Sequence, residues 1–167
     1  IAAFPVYRSY IRPDSTSVDQ DDTLFIESAI RTAKRRNPST APNLFDFIGS
    51  IVLLQDLDSI TEDQKKERME FVLALQQITG PVMAKGLEDT AFYRDFPLAS
   101  LNEVGGEPER FGVSVSDFHE RCSDQAANWP ASMISTSTHD TKRGEDVRAR
   151  ISVLAEIPDE WVAALDV

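Results

Sequence analysis

Apolar positions along this chain recur mostly at helical spacing. From about Asp21 to Arg36 they predict a first helix, with acids in its first turn and Lys34, Arg35 and Arg36 in its last. That polarity complements the helix dipole. Asn37-Pro38 stops it, and a second helix is expected near Asn43 to Leu54. Leu44, Phe45, Phe47, Ile48, Ile51 and Val52 make that segment apolar over most of its circumference, so it is expected to be buried. Thr61-Glu62-Asp63-Gln64 has the form of a capping box, with Thr61 as the N-cap. The helix it opens is expected to reach about Ile78, burying Met69, Val72 and Leu75 or their neighbours. Gly80-Pro81 should end or kink it, with a short further helix from Val82 to Leu87.

Asp89 to Arg110 carries few periodic signals and several turn residues, and reads as a long loop. Ser114 or Ser116 opens another helix, reaching about Asn128 before Pro130. Val147, Ile151 and Leu154 mark a helix face that runs to about Ala155. Pro158 starts the last helix, with Trp161 and Leu165 expected to face inward. Two stretches read as short strands: Phe4 to Tyr10, which Pro5 keeps at an edge or a strand start, and the β-tolerant run from Met133 to Thr138. With six or seven helices against two strands, the fold class is mainly α.

Composition narrows the function classes. At 167 residues, 41% hydrophobic and 27% charged, the chain can bury a core and has the balance of a soluble globular protein. A net charge of −11 argues against a nucleic-acid partner and against an anionic membrane surface. The longest apolar runs, Phe71 to Leu75 and Trp161 to Leu165, are too short to span a bilayer. No signal peptide is visible, and the single Cys122 excludes an internal disulfide; a cytoplasmic location is expected. The chain opens at Ile1 rather than Met, which reads as a piece of a longer protein.

Chemistry concentrates in two places. Between Thr138 and the following helix lie His139, Asp140, Lys142, Arg143, Glu145, Asp146 and Arg148. A polar loop between a strand end and a helix is where α/β barrels place catalytic groups. The plainer reading is that Asp140 caps the helix and the other charges are solvated. The second place is Gly80 to Arg94, where Lys85, Glu88, Asp89 and Arg94 crowd beside Phe92 and Tyr93. Aromatic faces stack on pyranose C–H surfaces while charged groups bind hydroxyls, so this mixture suits a sugar; an i,i+4 Lys85–Asp89 pair on a helix end is the plainer account. Leu101-Asn102-Glu103-Val104-Gly105-Gly106 offers an amide, a carboxylate and a permissive glycine pair, or simply a turn. His119-x-x-Cys122 has the spacing of half a metal site but lacks a second half, and packing or capping on a helix is its plainer reading; a Ser-His-Asp triad stays open, since triads are spatial, but its nucleophile elbow is missing.

Phe4-Pro5-Val6-Tyr7-Arg8, Gly80 to Arg94, Leu101 to Gly106, Trp129-Pro130 and Ser135 to Ile151 together resemble the maltooligosyl trehalose synthase family of the α-amylase clan (glycoside hydrolase family 13), in the family's order. Asp95-Phe96-Pro97 carries no match. The resemblance implies a helical insertion followed by a late strand and helix of a (β/α)8 barrel. On that reading residues 1–130 are the insertion region and 131–167 the barrel strand, catalytic loop and following helices, as one compact unit. It implies an intramolecular transglucosylase that converts the reducing-end α-1,4 linkage of a malto-oligosaccharide to α,α-1,1.

By the same resemblance Asp140 is the third clan carboxylate, gripping the sugar in subsite −1. His139, Lys142, Lys85, Glu88, Asp89, Tyr93, Arg94, Glu103 and Tyr7 are the substrate-binding set, with Lys142 and Lys85 holding the acceptor glucose. The nucleophile and general acid are expected before Ile1, so this chain alone should be inactive. No metal or other cofactor is implied; the partners are the substrate and the rest of the synthase chain. Two other classes stay open from the residues themselves. One is a helical module that binds carbohydrate or protein. The other is a metal-dependent phosphohydrolase built on a His139-Asp140 dyad, which would need that dyad on a helix.

Overall fold

The computed structural model of the chain describes residues 1–95 and 97–166, so Phe96 and Val167 lie outside the described residues. The chain divides into two compact units, 1–89 and 90–167. Mainly α is the observed class: among the described residues the regular elements are helices and helical turns, and no strand occurs.

In the first unit α1 spans Gln20–Arg36, α2 Pro42–Val52 and α3 Glu62–Met83. Asp19 caps α1, accepting from the Asp22 amide at 2.8 Å, and the basic last turn falls on Lys34, Arg35 and Arg36 as the dipole favours. Lys34 reaches Asp46 on α2 at 2.5 Å. Both bonds of the Thr61 capping box are present at the start of α3. Ile11, Ile26, Val52, Leu54 and Val72 form the core where the three helices meet, with Met69 and Leu75 packed against it.

α2 departs from expectation. Only Gly49 and Val52 are buried, while Leu44 and Phe47 are exposed. Its apolar circumference exceeds what α1 and α3 cover. Of the two outcomes expected at Gly80-Pro81, an ending is excluded, because α3 runs through Pro81 to Met83. Proline removes an amide donor and crowds the preceding turn. Shortly after it the ladder widens into a π-helical turn, Ala84–Glu88, closed by the Asp89 amide on the Ala84 carbonyl at 2.9 Å. The separate helix expected from Val82 to Leu87 is therefore a continuation of α3.

The strand expected from Phe4 to Tyr10 is not formed, and the reason is where its hydrogen bonds go. The Tyr10 amide donates to Asp22 Oδ2 at 2.6 Å. Gln76 on α3 takes the next residue: its Oε1 accepts from the Ile11 amide at 2.7 Å and from Ser9 Oγ at 2.9 Å, and its Nε2 donates to the Ile11 carbonyl at 2.9 Å. A side-chain amide thus does for the backbone what a neighbouring strand would do.

Asp22 is buried and its carboxyl is raised above the usual aspartate range, first by burial and then by Asp19 and Asp21, against the pull of the Tyr10 amide and Arg8. A raised carboxylate contributes its stability in full below the unfolded-state value near 3.8 and loses it as pH rises through the folded-state value. Asp22→Asn keeps an acceptor for Tyr10 and removes the buried charge. It is expected to raise Tm at neutral pH, with the difference closing as pH falls below 3.8; an unchanged or lowered Tm at pH 7 contradicts this.

In the second unit α4 spans Val115–Asn128, α5 Glu145–Val153 and α6 Pro158–Leu165. Ser114 caps α4, accepting from the Asp117 amide at 3.1 Å. Short 3-10 turns at Ala91–Tyr93 and Ala99–Leu101 structure the loop between the units' helices, and α5 packs on the second of them. Trp161 and Leu165 do not face inward; they are 42% and 64% exposed. Nor is Met133 to Thr138 a strand. Met133 and Ile134 are 98% and 86% exposed, and β structure needs a neighbouring strand to complete its ladder. The expected division at residue 130, between insertion and barrel, concerns a larger domain and returns below as a proposal. No described helix is long and apolar enough to cross a membrane.

Candidate functional site

The second unit brings several of the sequence-selected residues together. Its base is the Glu103–Gly106 turn, closed by the Gly106 amide on the Glu103 carbonyl at 2.7 Å. Gly105, the third residue, sits at φ +73°, where a side chain is strained. A Cβ on Gly106 would lie 2.6 Å from the Leu101 carbonyl oxygen and 2.8 Å from that of Glu103. The glycine pair is thus required on both counts.

Asn102, fully buried, donates from Nδ2 to the Phe92 carbonyl at 3.0 Å and the Asp95 carbonyl at 2.9 Å. It holds the turn that carries Phe92 and Tyr93, with Phe92 buried and Tyr93 exposed.

The Thr138–Arg143 loop is fastened to this base. Glu103 Oε1 accepts from the Lys142 amide at 2.7 Å and from the Val104 amide at 2.8 Å. Arg143 Nη1 donates to the Asn102 carbonyl at 3.1 Å. The Lys142 ammonium then stands 5.6 Å from the centroid of the Tyr93 ring, within cation–π range. Partial burial works against ionisation of Glu103, yet the amides of Lys142, Val104 and Arg143 and the charge of Arg148 hold its carboxyl below the usual range. Asn102 Oδ1, Glu103 Oε2 and Arg148 Nε are buried without a hydrogen bond among the described residues, and their residues border one small cavity.

His139 and Asp140 are the two central residues of a turn spanning Thr138 to Thr141. The Thr141 amide and hydroxyl both reach the Thr138 carbonyl, at 3.3 and 2.8 Å, and the Thr138 amide returns to Thr141 Oγ1 at 3.3 Å. Both central side chains are exposed. This removes the plainer account of Asp140. The N-cap of α5 is Gly144, four residues further on, and no side chain caps that helix. Glu145, its first residue, accepts from Ser137 Oγ at 2.7 Å, which lowers its carboxyl from the usual range.

The remaining candidates divide between the units after Asp89. In the first unit Lys85 pairs with Asp89 at 2.6 Å, the i,i+4 arrangement the spacing allows. Glu88 is buried on the same π-helical turn, and Tyr7 is exposed on the N-terminal segment. In the second, Arg94 is exposed just after the turn that carries Tyr93. Two residues outside the sequence-selected set hold the second-unit site in shape, Asn102 and Arg143. The signal for Asn102 was present, as an amide directly before a carboxylate and a glycine pair; Arg143 was one charge among seven.

No protein-family model matches the chain. It is 60% identical over 92 residues to putative maltooligosyl trehalose synthases of two Mycobacterium tuberculosis strains, a match covering 55% of this chain and 12% of each relative. The structure of maltooligosyltrehalose synthase from Arthrobacter ramosus superimposes with a TM-score of 0.72 at 36% identity, over 96% of this chain and 18% of that one. A hypothetical maltooligosyl trehalose synthase from Sulfolobus tokodaii gives a TM-score of 0.67 at 30% identity, over 99% and 19%. The chain is thus similar to maltooligosyl trehalose synthases in sequence and in fold, and it spans a small part of each.

Proposed function

We propose that this chain is the acceptor-holding part of a maltooligosyl trehalose synthase. Residues 1–130 would form a helical insertion and 131–167 a late barrel segment with its catalytic loop. The observation that carries the reading is the fastening of the Lys142 loop to the Asn102–Glu103 turn, which sets an ammonium over the Tyr93 ring. A sugar that rests on an aromatic face and is gripped by a neighbouring cation is held by C–H stacking and by directed hydrogen bonds together.

The reaction is a retaining transfer. A nucleophile and a general acid, for which no motif occurs in these 167 residues, cleave the reducing-end α-1,4 linkage and form a glycosyl-enzyme. Asp140, presented at the tip of its turn beside His139, binds ring hydroxyls whose hydrogen bonds tighten as the ring flattens. The released glucose is retained by Lys142 on its loop, so that its 1-hydroxyl attacks in place of water. The chain alone is accordingly inactive on malto-oligosaccharide. Lys85, Glu88, Asp89, Arg94 and Tyr7 complete the substrate contacts on this reading, in a cytoplasmic enzyme that needs no metal.

A phosphohydrolase dyad would sit on a helix, whereas His139-Asp140 occupies a turn four residues before one. A binding module has no need to discriminate attacking groups, and that is what the test exploits. In the full-length enzyme Lys142→Ala is expected to shift products from trehalose linkage toward hydrolysis while cleavage continues. The measurement is the ratio of free glucose to trehalose-ended product, and a wild-type ratio refutes the assignment.

A further inference from the structure

The structure assigns Glu103 a role that its selection as a sugar ligand did not include: it is the positioning residue that aims Lys142. Its Oε1 is occupied by two backbone amides, those of Lys142 at 2.7 Å and Val104 at 2.8 Å. One bond is to its immediate neighbour and stiffens the glycine turn. The other crosses 39 residues of sequence and is the tie between that turn and the catalytic loop. A second tie lies beside it, from Arg143 Nη1 to the Asn102 carbonyl at 3.1 Å. Asn102 in turn holds the Phe92 and Asp95 carbonyls at 3.0 and 2.9 Å, bracketing the Tyr93 turn.

The Lys142 backbone and the Tyr93 ring are therefore referred to the same two residues, Asn102 and Glu103. The ammonium-to-ring distance of 5.6 Å is set by that shared base and not by the lysine alone. A lysine stem has many rotamers, and anchoring its amide cuts the volume its ammonium can sample. The carboxylate suits this task because a charged acceptor makes stronger bonds to amides than a neutral one does.

This inference rests on the reading of Lys142 as the acceptor-holding residue, and the experiment separates the two. In the full-length enzyme the ratio of free glucose to trehalose-ended product is measured for Glu103→Ala, Lys142→Ala and the double variant. A displacement of about 1 Å in a positioning group can cost up to about 10²-fold, so Glu103→Ala is expected to raise the ratio by roughly an order of magnitude. The double variant should match Lys142→Ala alone, because Glu103 acts through Lys142. Glu103→Gln keeps an acceptor oxygen and should shift the ratio less than Ala does.

If Lys142→Ala raises the ratio and Glu103→Ala leaves it at the wild-type value, the positioning role is overturned. Additive effects in the double variant, or a glutamine variant as impaired as alanine, overturn it equally. Should Glu103→Ala fail to fold, Glu103→Asp, which withdraws the acceptor by one methylene, carries the test on the same ratio. A wild-type ratio in Lys142→Ala sinks the acceptor reading itself.

Discussion

If the proposed function holds, Asp140→Asn in the full-length enzyme is expected to lower kcat by an amount equivalent to about 3–5 kcal/mol, with a far smaller change in ground-state binding. The physical reason is where the carboxylate acts. On the proposed reading its hydrogen bonds to ring hydroxyls strengthen as positive charge develops on the flattening ring, so the loss falls on the transition state. Asparagine has nearly the same volume and suits the same turn, but it lacks the charge. The local structure makes this a clean substitution. The turn is closed by Thr138 and Thr141, α5 is capped at Gly144 without help from Asp140, and the Asp140 side chain is exposed. Thermal stability should therefore remain close to wild type while single-turnover cleavage slows by orders of magnitude. A near-wild-type rate would leave Asp140 with neither role, since the structure has already removed the helix cap.

Gln76→Leu is expected to destabilise the first unit by roughly 3–5 kcal/mol. Leucine fills a similar volume, so the cost is not one of packing. It strands the Ile11 amide, the Ile11 carbonyl and the Ser9 hydroxyl, and each buried polar group left without a partner costs about 1–3 kcal/mol. Ser9 and Gln76 are both 2% exposed and Ile11 is 5% exposed, so water cannot replace the lost bonds without opening the core. Urea denaturation of the protein, compared at equal m-value, reports the difference. A loss under about 1 kcal/mol would mean that the N-terminal segment repacks, and that the Gln76 clamp is dispensable.

The helices were legible because their signals are local. The Thr61 capping box, the charge polarity of α1 and Pro158 at the start of α6 act within a turn or two of backbone, and each holds in the structure. Extended segments were not legible in the same way. Phe4 to Tyr10 and Met133 to Thr138 have β character, yet a strand exists only where another strand pairs with it. One segment instead finds Gln76 and Asp22, and the other stays exposed. Burial was misjudged for the same reason at Phe47, Trp161 and Leu165: apolar periodicity says which face seeks cover, not whether an element arrives to provide it.

The site shows the same division. Residue identity at Thr138 to Arg150 and Gly80 to Arg94 pointed to the synthase resemblance, and the glycine pair after Glu103 announced a tight turn. What sequence alone determined here is the chemistry on offer: carboxylates, lysines and aromatics, in the order the resemblance implies. Only the tertiary structure decided how Glu103 uses its carboxylate, because the bond that matters joins it to an amide 39 residues away. Asn102 and Arg143 became visible as supports for the same reason. A hydrogen bond between distant residues depends on the path of the chain between them, and no local pattern of residues encodes that path.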